Sequence, residues 1–85
     1  MFDPREADRI SEMLDLSPEA LALGLDCSPT QARSLQQYVT LTVVVAFRRE
    51  RGEPHEDERL HARRLFRCLP PGLKLWLCDG LRFAA

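Results

Sequence analysis

The sequence predicts an all-α fold: a compact bundle of four to five helices around a long central helix at about residues 29–51, forming a single domain over residues 1–85. Proline follows a capping residue at Asp3-Pro4, Ser17-Pro18 and Ser28-Pro29, where its missing N–H costs nothing because the first amides of a helix have no intrahelical partner. Apolar residues then recur at spacings of three and four, as one face of a helix demands. Gly24, Gly52 and the pair Pro70-Pro71 stand where those runs end.

Helix one is expected over about residues 4–15. Glu6 completes a capping box with Asp3, Phe2 and Ala7 occupy staple positions, and Ala7, Ile10, Met13 and Leu14 form the buried stripe. Helix two is short, about Pro18 to Leu23, and stops near Gly24. The third start is the clearest, because Gln31 sits three residues after Ser28 and Cys27 can pack across it on Ala32. From there one helix runs to Arg51, with Gly52 as its stop.

Within it lies QQYVTLTVVVAF, Gln36 to Phe47, the most apolar stretch of the chain. Its β-branched residues and the alternation of Val39, Leu41, Val43, Val45 and Phe47 suit a strand as well. Helix is preferred because Ala32, Leu35, Val39, Val43 and Ala46 recur at helical spacing between a capped start and a glycine stop. Tyr38, Leu41 and Val45 add a second apolar stripe, which leaves a polar strip of Arg33, Gln37, Thr40, Arg48 and Arg51 interrupted by Val44. A fourth helix opens at Glu53-Pro54 and runs to about Leu69, burying Ala62, Leu65, Phe66 and Leu69, with its acids before its arginines as the helix dipole favours. Residues 72–79 form a fifth helix in preference to a hairpin about Asp79-Gly80, since a two-stranded sheet would lack support.

Composition narrows the function classes. With 45% apolar and 29% charged residues and a net charge of -1, the chain is neither a disordered tail nor a polyanion binder overall. The charge is unevenly spread: residues 1–30 hold seven acids against two arginines, a net of -5, so the remainder carries +4. Such polarity can steer a partner or pair two copies head to tail, but the preferred reading is complementary packing inside one fold. The start, MFDPREADRI, lacks the order of a signal peptide, so a cytoplasmic chain beginning here is expected. The longest uncharged run, Ser34 to Phe47, has 14 residues and falls short of the ~20 that a membrane helix needs, so no membrane partner is expected. Cys27, Cys68 and Cys78 are too few and too irregularly spaced for a disulfide framework or a zinc site, and read as buried reduced thiols.

Three motifs bear on chemistry. SPEALALGL, a turn, then SPTQARSLQQY resembles the helix-turn-helix of small bacterial repressors, and the resemblance implies a DNA-binding transcriptional regulator contacting bases or phosphates through Thr30, Gln31, Arg33 and Gln37. Its turn is about two residues longer than the usual unit, and Ser17 to Gln37 carries a net charge of -1 where a DNA reader needs several cations. HEDERLH places Asp57 and Glu58 one turn before His61, yet no second cluster completes a metal shell, and acids belong at a helix start. Gly52, Ala62, Phe66, Leu69 and Pro70 resemble the second half of a tetratricopeptide repeat, but the pattern does not recur. No base partner faces a cysteine and no phosphate-cradling loop is present, so no cofactor, metal or catalytic residue is assigned.

The remaining reading comes from supply and demand of apolar surface. The short helices can cover Val39, Val43, Leu41 and Val45, while Val44, Leu75, Trp76, Leu81 and Phe83 are left to place. Surplus apolar surface on a small soluble protein marks contact with another chain. The expected function is therefore non-enzymatic protein–protein binding, as a homodimer or as a chaperone, inhibitor or adaptor of one target protein. Trp76, Phe83, Arg63, Arg64 and Arg67 are its expected anchors, with Leu73 and Leu77 as apolar surround.

Overall fold

In a computed structural model, which describes residues 4–80 with side chains from 7 to 77, the described residues are helical and contain no strand. The order is α1 (Pro4–Asp15), α2 (Pro18–Leu25), α3 (Pro29–Arg51), α4 (Glu56–Cys68) and α5 (Pro71–Gly80). The divided preference of Gln36 to Phe47 resolves as helix, inside α3. Thr42 illustrates how a β-branched residue settles there: its hydroxyl donates to the Tyr38 carbonyl one turn back, at 2.9 Å.

The caps fix the helix boundaries. Ser28 Oγ accepts from the Gln31 N–H at 3.1 Å, and Gln31 Oε1 accepts from the Ser28 N–H at 3.0 Å, so the expected capping box is complete. Ser17 Oγ likewise accepts from the Ala20 N–H at 3.2 Å. At the far end of α3, Gly52 takes φ 70° and the Glu53 N–H reaches the Arg48 carbonyl at 2.8 Å, a Schellman closure in the left-handed conformation that glycine adopts without strain.

Two boundaries differ from the sequence expectation. Helix α2 passes through Gly24 to Leu25, and Asp26, at φ 54°, takes the left-handed position while the Cys27 N–H closes on the Ala22 carbonyl at 3.1 Å. A short polar side chain tolerates that conformation, so the stop did not require glycine. Helix α4 starts at Glu56, not at Glu53-Pro54, because Gly52 to His55 are used in reversing the chain. Its N-cap, His55, makes no side-chain cap bond, and Glu56, Asp57 and Glu58 in the first turn complement the dipole instead. The Asp3–Glu6 capping box and the Phe2–Ala7 staple lie outside the described residues.

The core is the common face of all five helices. Ala32, Leu35 and Val39 of α3 are fully buried among Ile10 and Met13 of α1, Leu21 and Ala22 of α2, Ala62 and Leu69 near α4, and Leu73 and Leu77 of α5. The Tyr38 and Phe66 rings meet at 5.4 Å between centroids, tilted by 40°, and join α3 to α4. Lys74 Nζ lies 5.6 Å from the Phe66 centroid, which ties α5 to the same ring. Of the stripe expected on α1, Ile10 and Met13 are buried, whereas Ala7 and Leu14 are exposed.

Gln36 holds α1 to α3. Its amide nitrogen donates to the Met13 carbonyl at 3.1 Å and the Leu16 carbonyl at 2.9 Å, satisfying acceptors that the end of α1 leaves open. Since a hydrogen bond contributes roughly 0.5–1.5 kcal/mol net, Gln36→Ala should cost on the order of 1–3 kcal/mol. Amide exchange in α1 should quicken more than exchange in α3 and α4; equal acceleration throughout would show that Gln36 has no local latching role.

Candidate functional site

The second half of α3 is incompletely covered. From Leu41 to Phe47 Val45 alone is buried; Leu41, Val43, Val44 and Ala46 are half-buried and Phe47 is 44% exposed. At 1.5 Å per residue α3 spans about 34 Å, while the 12 residues of α1 and 13 of α4 each span about half of that. Neither can run its full length. Thr40, Val44 and Phe47 stand at i, i+4 and i+7, one face of the helix.

Beside that face lies an open groove with a volume of about 510 Å³. Its floor is α3, with Gln37, Thr40 and Leu41; Leu14 of α1 forms one wall and His61 of α4 the other. Arg33 and Gln36 line its other end. Leu14 is 37% exposed and Leu16, just beyond it, 47%. Near the α3–α4 turn Arg48 pairs with Glu58, and Arg59 forms a two-pronged pair with Glu56 at 2.5 and 3.0 Å. Glu58 is held below the usual carboxylate range by its own backbone N–H and by Arg48, and Glu56 by the Arg59 hydrogen bond.

The residues expected at an interface differ in burial. Leu73 and Leu77 are buried in this chain's own core, so they are not available as apolar surround; their spacing of four puts both on the inward face of α5. Trp76 is half-buried and packs on that core, lining a second cleft of about 380 Å³ with Leu25, Cys27 and Pro70. Arg63, Arg64 and Arg67 are exposed on the outer face of α4, and Phe83 lies outside the described residues. Large exposed side chains appear instead at Leu23, 87% exposed on α2, and Leu75, 65% on α5.

Thr30, Arg33 and Gln37 are exposed along one side of α3, while Gln31 is half-buried and its side-chain oxygen is committed to the cap. Cys68 is exposed, contrary to the expectation of burial, because it falls on the outer face of α4 with Arg64. Cys27 is half-buried; burial first, and the Asp26 carboxylate second, raise its thiol pKa, which makes it a weaker nucleophile. The side chain of Cys78 is outside the described residues. Among the described residues no group of three His, Cys, Asp or Glu could hold a metal ion, and no helix is long and apolar enough to cross a membrane. Compared with known proteins, the chain matches no family model, and no curated protein or solved structure is significantly similar to it.

Sequence reasoning missed Leu14, Leu16 and Phe47. A signal existed for Phe47, which lies one turn beyond Val43 and Val44 on a helix longer than any neighbour. If this face is surface, Val44→Thr and Phe47→Ser should each cost less than about 1 kcal/mol in urea denaturation, against roughly 2–5 kcal/mol for Leu35→Ala in the core. A Phe47 cost equal to that of Leu35 would place the ring in the core. Acid should act through Glu58. Its folded pKa is lowered, so its contribution is complete above the unfolded value near 4.3 and fades as pH falls through the lower folded value. The Tm difference between wild type and Glu58→Gln should therefore shrink between about pH 5 and pH 3. A constant difference would show that the Arg48–Glu58 pair is not linked to folding.

Proposed function

We propose that this protein works without catalysis, by binding another protein in the cytoplasm, as a homodimer or as an adaptor, chaperone or inhibitor of one target. The observation that supports it is the half-covered apolar face of α3, Val44 and Phe47, continuing past Leu41 into a groove walled by Leu14 and His61. Contiguous exposed apolar surface on a small protein is a mark of an interface. A groove floored by one helix and walled by two others suits an apolar helix face, whose side chains at i, i+3 and i+4 would enter it. Phe47, Arg33 and His61 around it are of the types that anchor or rim such contacts.

Reading DNA through Thr30, Arg33 and Gln37 is the weaker proposal. Arg33 and Gln37 line the same groove, and Gln31 is held in the cap. The two readings part in a crosslinking experiment. A photoreactive phenylalanine analogue at position 47 should capture a protein in cells, while the same analogue at Arg49, exposed and off this face, should capture far less. Equal yields at both positions, or nucleic acid in place of protein, would sink the protein-binding reading.

A further inference from the structure

We infer that the cleft between the end of α2 and the start of α5 is a binding site for a small organic cation, an ammonium group carried on an apolar body. It shares no lining residue with the α3 groove, so the inference does not rest on the reading of that groove. Its volume of about 380 Å³ falls within the range of small-molecule sites. Leu25, Pro70, Leu73 and Trp76 offer contact to the apolar body. Gly24 and Gly72 also line the cleft, and a methyl group at either would meet nothing of this chain within 4 Å. Both stand within helices, where glycine costs stability relative to alanine, and packing inside the chain does not account for them. Their bare backbone lets a ligand come close.

The polar groups set the sign of the ligand. Asp26 lines the cleft, and its carboxylate lies close enough to the Cys27 thiol, also in the lining, to oppose ionisation there. Beside it α2 ends in open carbonyls. The Ser28 N–H that would close on the Gly24 carbonyl donates to Gln31 Oε1 instead, and the Leu25 carbonyl would need an N–H that Pro29 lacks. A helix C-terminus favours positive charge, and an indole attracts a cation more strongly than any other side-chain ring. Among the described residues no lysine, arginine or histidine lines the cleft, and Lys74, next to Leu73, is engaged over the Phe66 ring. The start of α5 does little to favour an anion. Pro71 has no N–H, and the Leu73 and Lys74 amides close on the Pro70 carbonyl at 3.0 and 3.1 Å, which leaves that of Gly72. One carboxylate and two carbonyls outweigh a single amide.

The test uses the full chain and its single tryptophan, Trp76. Phenethylammonium should change the Trp76 fluorescence saturably, with a Kd on the order of 1 mM or tighter. It should also move the NMR signals of the Trp76 indole and of the Gly24 and Gly72 amides. Phenylpropionate, similar in size and opposite in charge, should bind about ten-fold more weakly, and so should the neutral phenethyl alcohol. Asp26→Asn should lose about ten-fold in affinity for phenethylammonium. It should keep the wild-type circular dichroism spectrum and Tm, because asparagine also tolerates the left-handed conformation at position 26. Absence of saturation, equal affinity for the carboxylate or the alcohol, or an Asp26→Asn variant that binds as wild type does would overturn the inference. NMR shifts centred on Arg33, Thr40 and His61 would overturn it too, by placing the probe in the α3 groove.

Discussion

A 23-residue helix with two apolar stripes asks for more covering surface than four shorter helices can give, and the layout of the chain follows from where that shortfall falls. The N-terminal half of α3 is served first. Ala32, Leu35 and Val39 are fully buried, in one core cluster with residues of α1, α2, α4 and α5, and α2 and α4 pack most closely along α3. Past Tyr38, α4 covers one side through Ala62 and Phe66, and the opposite side is left to Val44 and Phe47. The exposed face is the arithmetic remainder of helix lengths in a chain this small, where only ~60–65% of the unfolded surface can be buried.

Gln36 decides where the remainder sits. By donating to the carbonyls at the end of α1, it pins that helix near the middle of α3 and turns Leu14 toward the groove. An apolar residue at this position would pack as well, yet it would leave the last carbonyls of α1 to water. The same amide therefore completes one helix and defines one wall of the candidate site. On the other side the wall is set by the tight α3–α4 reversal at Gly52, braced by Arg48 and Glu58 across the turn. One polar contact and one glycine position the two walls on a common floor.

What was legible in the sequence was local. Ser17, Ser28, Gln31 and Gly52 act within four residues of themselves, so the starts of α2 and α3 and the end of α3 follow from composition and spacing alone. The stop at Asp26 was less legible because a left-handed aspartate carries no sequence mark as plain as glycine. Burial was only half legible. Periodicity gave the inward stripe of α3 and the Ala62 to Leu69 stripe, yet which flank of α1 turns to the core depends on a pairing between residues twenty or more positions apart, Gln36 with Met13 and Leu16. For the same reason Leu14 was placed inside and is exposed, and Leu73 and Leu77 were placed at an interface and are buried.

The surplus itself was legible, while its location was not, and the distinction bears on function. A tally of apolar residues against available helices requires no geometry, so Val44 and Leu75 could be named as uncovered before any packing was known. Turning a surplus into a site needs a shape around it. Leu23 and Leu75 are the most exposed large side chains, yet each stands on a short helix away from the walled groove. Phe47 and Val44 are less exposed, but they continue the face of α3 that floors a groove walled by two other helices. Apolar contact supplies affinity without direction, and opposed charges supply direction with little affinity of their own. The α1–α3–α4 face offers that apolar contact within a walled groove, which is why we propose it, over the more exposed leucines, as the binding face.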